Sequence, residues 1–248
     1  MQILMPDFNM TTLRSVLYSI FLGLSTIVYT LLILLVIPLR NLRLRSKLAN
    51  NWATVNLWAL KIICGLDYQI SGLENLPTQN CIIMANHQST WETIALRSIL
   101  PFMQTWVIKR ELLAIPFFGW ASRTLYPIAI DRAASTKALR QLISQGQEAL
   151  QKGQWVAMFP EGTRVLVGET KKYNLGGALL AEKSGYPIVP IAHNAGLFWR
   201  HNSLLRLSGT IQVVIGPPVV TTGKKAAHIN KEVEFWINNE VQQLLKRL

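Results

Sequence analysis

The chain reads as an α/β protein: a mixed, largely buried β-sheet flanked by helices, preceded by an N-terminal helical membrane motif. Three observations lead there. From about residue 67 onward, short Val/Ile-rich runs alternate with helical periods, the pattern of strands covered on both faces by helices. Ahead of them a charge-free stretch runs from Ser15 to Leu39. Half of the 248 residues are hydrophobic and only 15% are charged, against roughly 25% in ordinary soluble domains. The length allows one large domain, or one domain with a small appendage. The division expected is a membrane-anchoring segment over 1–66 and an α/β domain over 67–248.

Taken in order, the first element is "SVLYSIFLGLSTIVYTLLILLVIPL" (15–39). As a helix it reaches about 38 Å, enough for a hydrocarbon core of about 30 Å. It lacks the shorter apolar core and small-residue cleavage site of a signal peptide, so it is expected to stay on the chain. Pro38 and then Arg40, Arg43, Arg45 and Lys47 end it, while Arg14 is the only base before it. That asymmetry puts everything after Leu39 in the cytoplasm. "NWATVNLWALKIICGL" (51–66) reads as an interfacial helix, with Trp52 and Trp58 suited to the headgroup level. A spanning helix and a hairpin dipping into one leaflet both satisfy this pattern. Strands are then expected at 68–71, 81–85, 105–108, 126–130, 155–159, 187–192 and 210–215. Helices are expected at about 90–100, 116–124, 135–152, 174–184 and 226–247. No internal repeat or low-complexity segment interrupts the series.

The net charge of +12, with a pI near 10.0, suits anionic lipid headgroups, phosphorylated substrates or nucleic acid alike. Cys64 and Cys81 each sit in an apolar run and read as buried, reduced thiols without zinc or redox spacing. His193, His201 and His228 are scattered without ligand spacing, so no metal is expected. GxSxG, the P-loop, HExxH and a strand-following GxGxxG are all absent from the sequence, which sets aside the chemistries they carry.

Four strand ends carry polar residues. The first is "NHQSTWE" (86–92), after "CIIMA". In a continuous helix His87 and Glu92 would stand about 140° apart and share no face. They meet only if His87 belongs to the turn and the helix starts after it. "STWE" is also a capping box, with Ser89 as N-cap and Glu92 as third helical residue. Glu92 therefore reads either as a cap or as the carboxylate that orients His87 and stabilises its protonated form. "FPEGTR" (159–164) ends the strand "WVAMF". Pro160 and Gly162 make a tight turn, and Glu161, Thr163 and Arg164 ride on it at a strand end, where open α/β sheets place ligands. Turn amides beside a guanidinium suit a phosphate or carboxylate. "AIDR" (129–132) and "VIKRELL" (107–113) place Asp131 with Arg132, and Lys109 with Arg110, at two further strand ends. Each alone is a solvated strand end; four together point to one site.

These blocks resemble the 1-acylglycerol-3-phosphate O-acyltransferase family, whose pattern is NHxxxxD, a Gly-containing segment ending near an Arg, FPEGTR, and a late Val-Pro pair. Here they read "NHQSTWE", "GWASRTLYPIAIDR" (119–132), "FPEGTR" and "IVPIAHNAG" (188–196), covering roughly 67–217 in order. The departure is Glu92, where the family usually has Asp. The resemblance implies a glycerolipid acyltransferase-like fold. It implies transfer of a fatty acyl group from an acyl-CoA or acyl-carrier-protein thioester to the sn-2 hydroxyl of lysophosphatidate, in phospholipid biosynthesis. On it, His87 is the general base and Glu92 orients it; Arg132 and Arg164 hold the substrate phosphate. Glu161, with Gly162 and Thr163 in its turn, positions glycerol or the loop, and Lys109 meets developing negative charge. Membrane lipids, lysophosphatidate and the acyl donor are the partners implied, at a bacterial inner membrane, with no nucleic acid and no cofactor beyond the donor substrate. A sibling enzyme acting on glycerol 3-phosphate or another lysophospholipid is the alternative. A non-catalytic binder of anionic lipid or nucleic acid is a more distant one.

Overall fold

Two long antiparallel helices open the chain in the computed structural model, which describes residues 8–131 and 135–246. They are α1 (Phe8–Leu35) and α2 (Leu42–Cys64). The strands are β1 (Leu66–Ser71), β2 (Ile82–Ala85), β3 (Gln104–Lys109), β4 (Ile128–Ile130), β5 (Trp155–Met158), β6 (Ile188–His193) and β7 (Gly209–Ile215). Between and after them lie α3 (Trp91–Ile99), α4 (Phe118–Arg123), α5 (Ser135–Gln151), α6 (Gly176–Ser184) and α7 (Ala226–Lys246). Each strand expected from the sequence forms within two residues of its expected ends. The exceptions among the helices are α1, which runs Phe8–Leu35 rather than over 15–39, and α2, which starts at Leu42 rather than at residue 51. Asn41 makes that early start: its side-chain oxygen accepts the Leu44 amide at 3.0 Å, satisfying an N–H the first turn leaves open.

The strands form one sheet in the order β1-β7-β6-β2-β5-β3-β4. Every pairing is parallel except β6 with β7. Thus β2, β5, β3 and β4 all end at one edge of the sheet, and β1 and β7 start there. β2, β5 and β6 are buried at every position, as central strands covered on both faces should be. Alternate residues divide between two cores. Ile83, Ala85, Ala157, Val189 and Ile191 pack with residues of α1, α2 and α3, while Ile82, Met84, Val156, Met158 and Ile188 pack with residues of α5, α6 and α7. α6 lies close on the second face: a Cβ on Gly177 would stand 2.8 Å from the sulfurs of both Met84 and Met158.

The first helix is amphipathic in the inverted sense. Its outward stripe is Leu13, Val16, Leu17, Ile20, Leu24, Val28, Leu31 and Leu35, all exposed. Its inward face buries Ser15, Tyr18, Thr30 and Ile33. Polar contacts hold that face along its length. The Ser15 hydroxyl accepts the Arg206 amide at 2.9 Å, Ser25 donates to Asn56 at 3.1 Å, Tyr29 donates to Asn51, and Thr30 donates to the Phe117 carbonyl at 3.2 Å. The Arg206 guanidinium also bonds the Ser15 carbonyl at 3.0 Å and lies over the rings of Tyr18 and Trp199. Asn9–Leu35 is long and apolar enough to cross a membrane, yet only 22% of its most apolar window is buried. A soluble core helix would be mostly buried; this one turns its apolar side outward, the arrangement suited to lipid.

Candidate active site

The strand register brings the four polar strand ends level. Ile83, Ala157 and Trp106 lie side by side, so Asn86, Pro160 and Lys109 come level three residues later, and Lys109 pairs with Ile130. His87 leaves the end of β2 in a turn, and α3 begins at Trp91. That break in the helix lets two residues five apart meet: His87 Nδ1 lies 2.7 Å from Glu92 Oε1. The same oxygen accepts the amides of Gln88 at 2.8 Å and Ser89 at 2.7 Å. Ser89 answers by accepting the Trp91 amide on its hydroxyl at 3.1 Å. Glu92 therefore caps the helix start and holds the imidazole with one oxygen atom. The N-cap is Thr90 rather than the expected Ser89, but both sequence readings of Glu92 describe a single arrangement.

Glu92 is fully buried. Burial works against its charge, but the His87 ring and the Ser89 amide favour it, and the carboxyl lies below its ordinary range. The His87 ring is stacked on Phe159, with centroids 4.1 Å apart and planes 8° from parallel. With Nδ1 on Glu92, the other ring nitrogen is left to meet a ligand, and the His87 side chain keeps 13% of its surface exposed.

The turn after β5 reaches the same loop. Glu161 Oε2 accepts the His87 backbone amide at 2.6 Å, and the His87 carbonyl accepts the Val165 amide at 2.8 Å. Gly162 closes the turn at φ 72, a left-handed conformation that glycine adopts without strain, and its amide bonds the Phe159 carbonyl at 3.1 Å. Thr163 is exposed and Arg164 half-buried. The Arg164 Nε is buried without a hydrogen-bond partner among the described residues. A guanidinium N–H in that state suits an oxyanion. Lys109 stands two strand positions from β2, about 10 Å at ordinary strand spacing, with its ammonium 3.5 Å from Glu111. It is not drawn into the His87 cluster. Arg132 lies outside the described residues.

Burial raises the Glu161 carboxyl from an ordinary 4.5 to about 8; the His87 amide opposes this and Glu92 adds to it. Glu161 thus keeps its proton at neutral pH while Glu92 is ionised: two carboxyls beside one imidazole, driven apart by their surroundings. The folded state holds this proton where the unfolded chain has lost it. Its contribution to stability is full below about pH 4.5 and declines as pH rises through about 8. Glu161→Gln keeps a carbonyl oxygen for the His87 amide and removes the titration. Between pH 6 and 9 its melting temperature is expected to fall less than that of the unsubstituted protein in parallel thermal scans. Equal slopes would place the ionisation elsewhere.

Phe159, Asn86 and His193 are structural members of this cluster that sequence reasoning passed over. Phe159 read only as the last residue of a strand. His193 read as one of three scattered histidines, although it stands inside the fourth motif block.

An imidazole held on a carboxylate, at a strand-end rim of an α/β sheet whose next turn carries a guanidinium with one buried N–H left without a partner among the described residues, can take a proton and bind an oxyanion. Comparison with known proteins gives this chemistry its family. The acyltransferase family model matches residues 67–194. A 1-acyl-sn-glycerol-3-phosphate acyltransferase of Pseudomonas aeruginosa is 42% identical over 94% of this chain and 91% of its own. One from Saccharomyces cerevisiae is 34% identical over 56% of this chain and 48% of its own. The crystal structure of the lysophosphatidate acyltransferase PlsC from Thermotoga maritima superposes with a TM-score of 0.79 at 23% identity, covering 95% of this chain and 96% of that one, which shows the shared fold. The chain belongs to the 1-acyl-sn-glycerol-3-phosphate acyltransferase family and is an acyltransferase.

Proposed function

We propose that the enzyme moves a fatty acyl group from a thioester, acyl-CoA or acyl-carrier protein, to the sn-2 hydroxyl of lysophosphatidate, yielding phosphatidate for phospholipid synthesis. The observation that carries this reading is the 2.7 Å contact from His87 Nδ1 to Glu92 beside the unpartnered Nε of Arg164. The shared name of the relatives supports the acceptor. The acceptor hydroxyl gives its proton to His87 Nε2 as its oxygen attacks the thioester carbonyl. The Glu92 carboxylate stabilises the imidazolium that results. The tetrahedral adduct then expels the thiolate, which recovers the proton from His87. No acyl-enzyme is required: the Ser89 hydroxyl, in the same loop as the base, is engaged by the Trp91 amide. Arg164 binds the acceptor phosphate with Thr163 and Gly162 at its side. Arg132 joins it on the strength of the family pattern alone. Glu161 acts on the loop rather than on glycerol, because its oxygen is engaged by the His87 amide. Lys109, at the same strand-end rim, would meet developing negative charge on the strength of the family pattern alone. The apolar face of α1 rests in a bacterial inner membrane, and the basic run at Arg43, Arg45 and Lys47 keeps the domain on the cytoplasmic side.

Acyl transfer by purified protein tests the proposal, with acyl-CoA and acyl-carrier protein as donors and lysophosphatidate and glycerol 3-phosphate as acceptors. Product from glycerol 3-phosphate alone would replace the acceptor. In the same assay Arg164→Ala is expected to raise KM for lysophosphatidate about tenfold or more, the scale of one charged hydrogen bond, with the donor KM little changed. A shift confined to the donor KM would assign Arg164 to the donor instead.

A further inference from the structure

His193 ends β6 and is completely buried. Both of its ring nitrogens are used. Nε2 lies 2.8 Å from the Asn86 carbonyl oxygen, and Nδ1 accepts the Ala195 amide at 3.3 Å. A carbonyl only accepts and an amide only donates, so the ring is the neutral tautomer with its proton on Nε2. Burial also disfavours a charge there. The Asn86 side chain returns the contact, accepting the His193 amide at 2.9 Å and donating to its carbonyl at 3.0 Å. Trp91 closes one side, with ring centroids 6.1 Å apart.

The carbonyl that His193 holds belongs to the peptide joining Asn86 to His87. The N–H of that same peptide donates to Glu161 Oε2 at 2.6 Å. The next peptide is gripped in the same way: its carbonyl accepts the Val165 amide at 2.8 Å, and its N–H donates to Glu92 Oε1 at 2.8 Å. Both peptide planes meeting at the His87 Cα are therefore fastened at both ends. A peptide is rigid, and a residue's only soft backbone torsions lie between its two planes. With both planes fastened, the direction of the His87 Cα–Cβ bond is determined before any substrate arrives.

We infer that His193 is a positioning residue for acyl transfer: by donating to the Asn86 carbonyl, its imidazole sets the plane from which the His87 side chain departs. This rests on the reading of His87 as the general base. His193 touches neither substrate nor reacting atoms; it acts through the backbone. The neutral ring suits the task, since a protonated one would repel the Ala195 amide and place an unpaired charge in the core.

The test compares two substitutions. The side-chain nitrogen of His193→Gln reaches the place of Nε2, whereas that of His193→Asn stops near Nδ1. In His193→Asn, kcat is expected to fall about ten- to a hundredfold, the cost of a small misplacement of a reacting group, with both KM values within about twofold. His193→Gln is expected to keep kcat within about threefold. Rates are taken per folded molecule, well below each melting temperature. Unchanged kcat in His193→Asn, equal losses in both variants, or a change confined to KM would overturn the assignment. His87→Ala, run alongside, separates the two readings. Inactive His87→Ala with fully active His193 variants removes only the positioning role; active His87→Ala removes the base and the proposal with it. If His193→Asn does not fold, nitrogen NMR of histidine-labelled wild-type enzyme decides. His193 is expected as neutral imidazole protonated at Nε2, and protonation at Nδ1 would overturn the assignment.

Discussion

His87→Ala is expected to lower kcat for acyl transfer by at least about a hundredfold, the usual cost of losing a general base. The fold should survive. The two amides of Gln88 and Ser89 remain on the Glu92 carboxylate when the imidazole is gone, so the buried charge keeps two of its three donors. The Glu161 and Val165 contacts go to the His87 backbone and are indifferent to its side chain. A melting temperature close to wild type, with activity against lysophosphatidate lost for both donors, is the result that supports the base. Retention of more than about a tenth of the rate would remove His87 from that role.

The Glu92 substitutions separate charge from architecture. Glu92→Gln offers a carbonyl oxygen of the same reach, so the helix start and the His87 contact can both persist. The negative charge opposite the forming imidazolium is lost. A fall in kcat of about a hundredfold or more is expected, with melting temperature little changed, since the three donors keep an oxygen acceptor. Glu92→Asp keeps the charge but withdraws it by one methylene from three contacts of 2.7–2.8 Å. It should be less active than wild type and clearly more active than Glu92→Gln. Equal kcat in Glu92→Gln and wild type would leave Glu92 a helix cap and nothing more.

The strands were legible because central strands of a covered sheet must be continuous apolar runs, and β2, β5 and β6 are buried throughout. Their polar ends were legible for the same reason: Asn86, Glu161 and Lys109 mark where the apolar runs stop. The reversal of β7 against β6 was not, because periodicity reports burial and carries no direction. The early start of α2 depends on one capping asparagine inside a basic, loop-like stretch. Glu161 read as positioning glycerol or the loop; only the assembled fold buries it and sets it on the His87 amide. His193 went unread because its ring nitrogens meet only backbone, the Asn86 carbonyl 107 positions earlier in the chain and the Ala195 amide two residues on, and backbone atoms leave no mark in sequence.

The reversed pair β1 and β7 has a kinetic consequence. Because these strands start where β2 and β5 end, the Cys64 end of α2 and the Ser15 end of α1 lie at the edge that carries His87. β1 and β2 are three strand positions apart, or about 14 Å. The lipid-facing helix and the base thus share one rim of the molecule. On the proposed function, with α1 in the bilayer, an embedded acceptor would reach the site by lateral diffusion, and the product would leave by the same plane. Acceptor supply is then measured in molecules per unit of surface, not per unit of volume. Diluting the acceptor with inert lipid slows the enzyme even when the amount per millilitre is constant, and the apparent KM is a mole fraction.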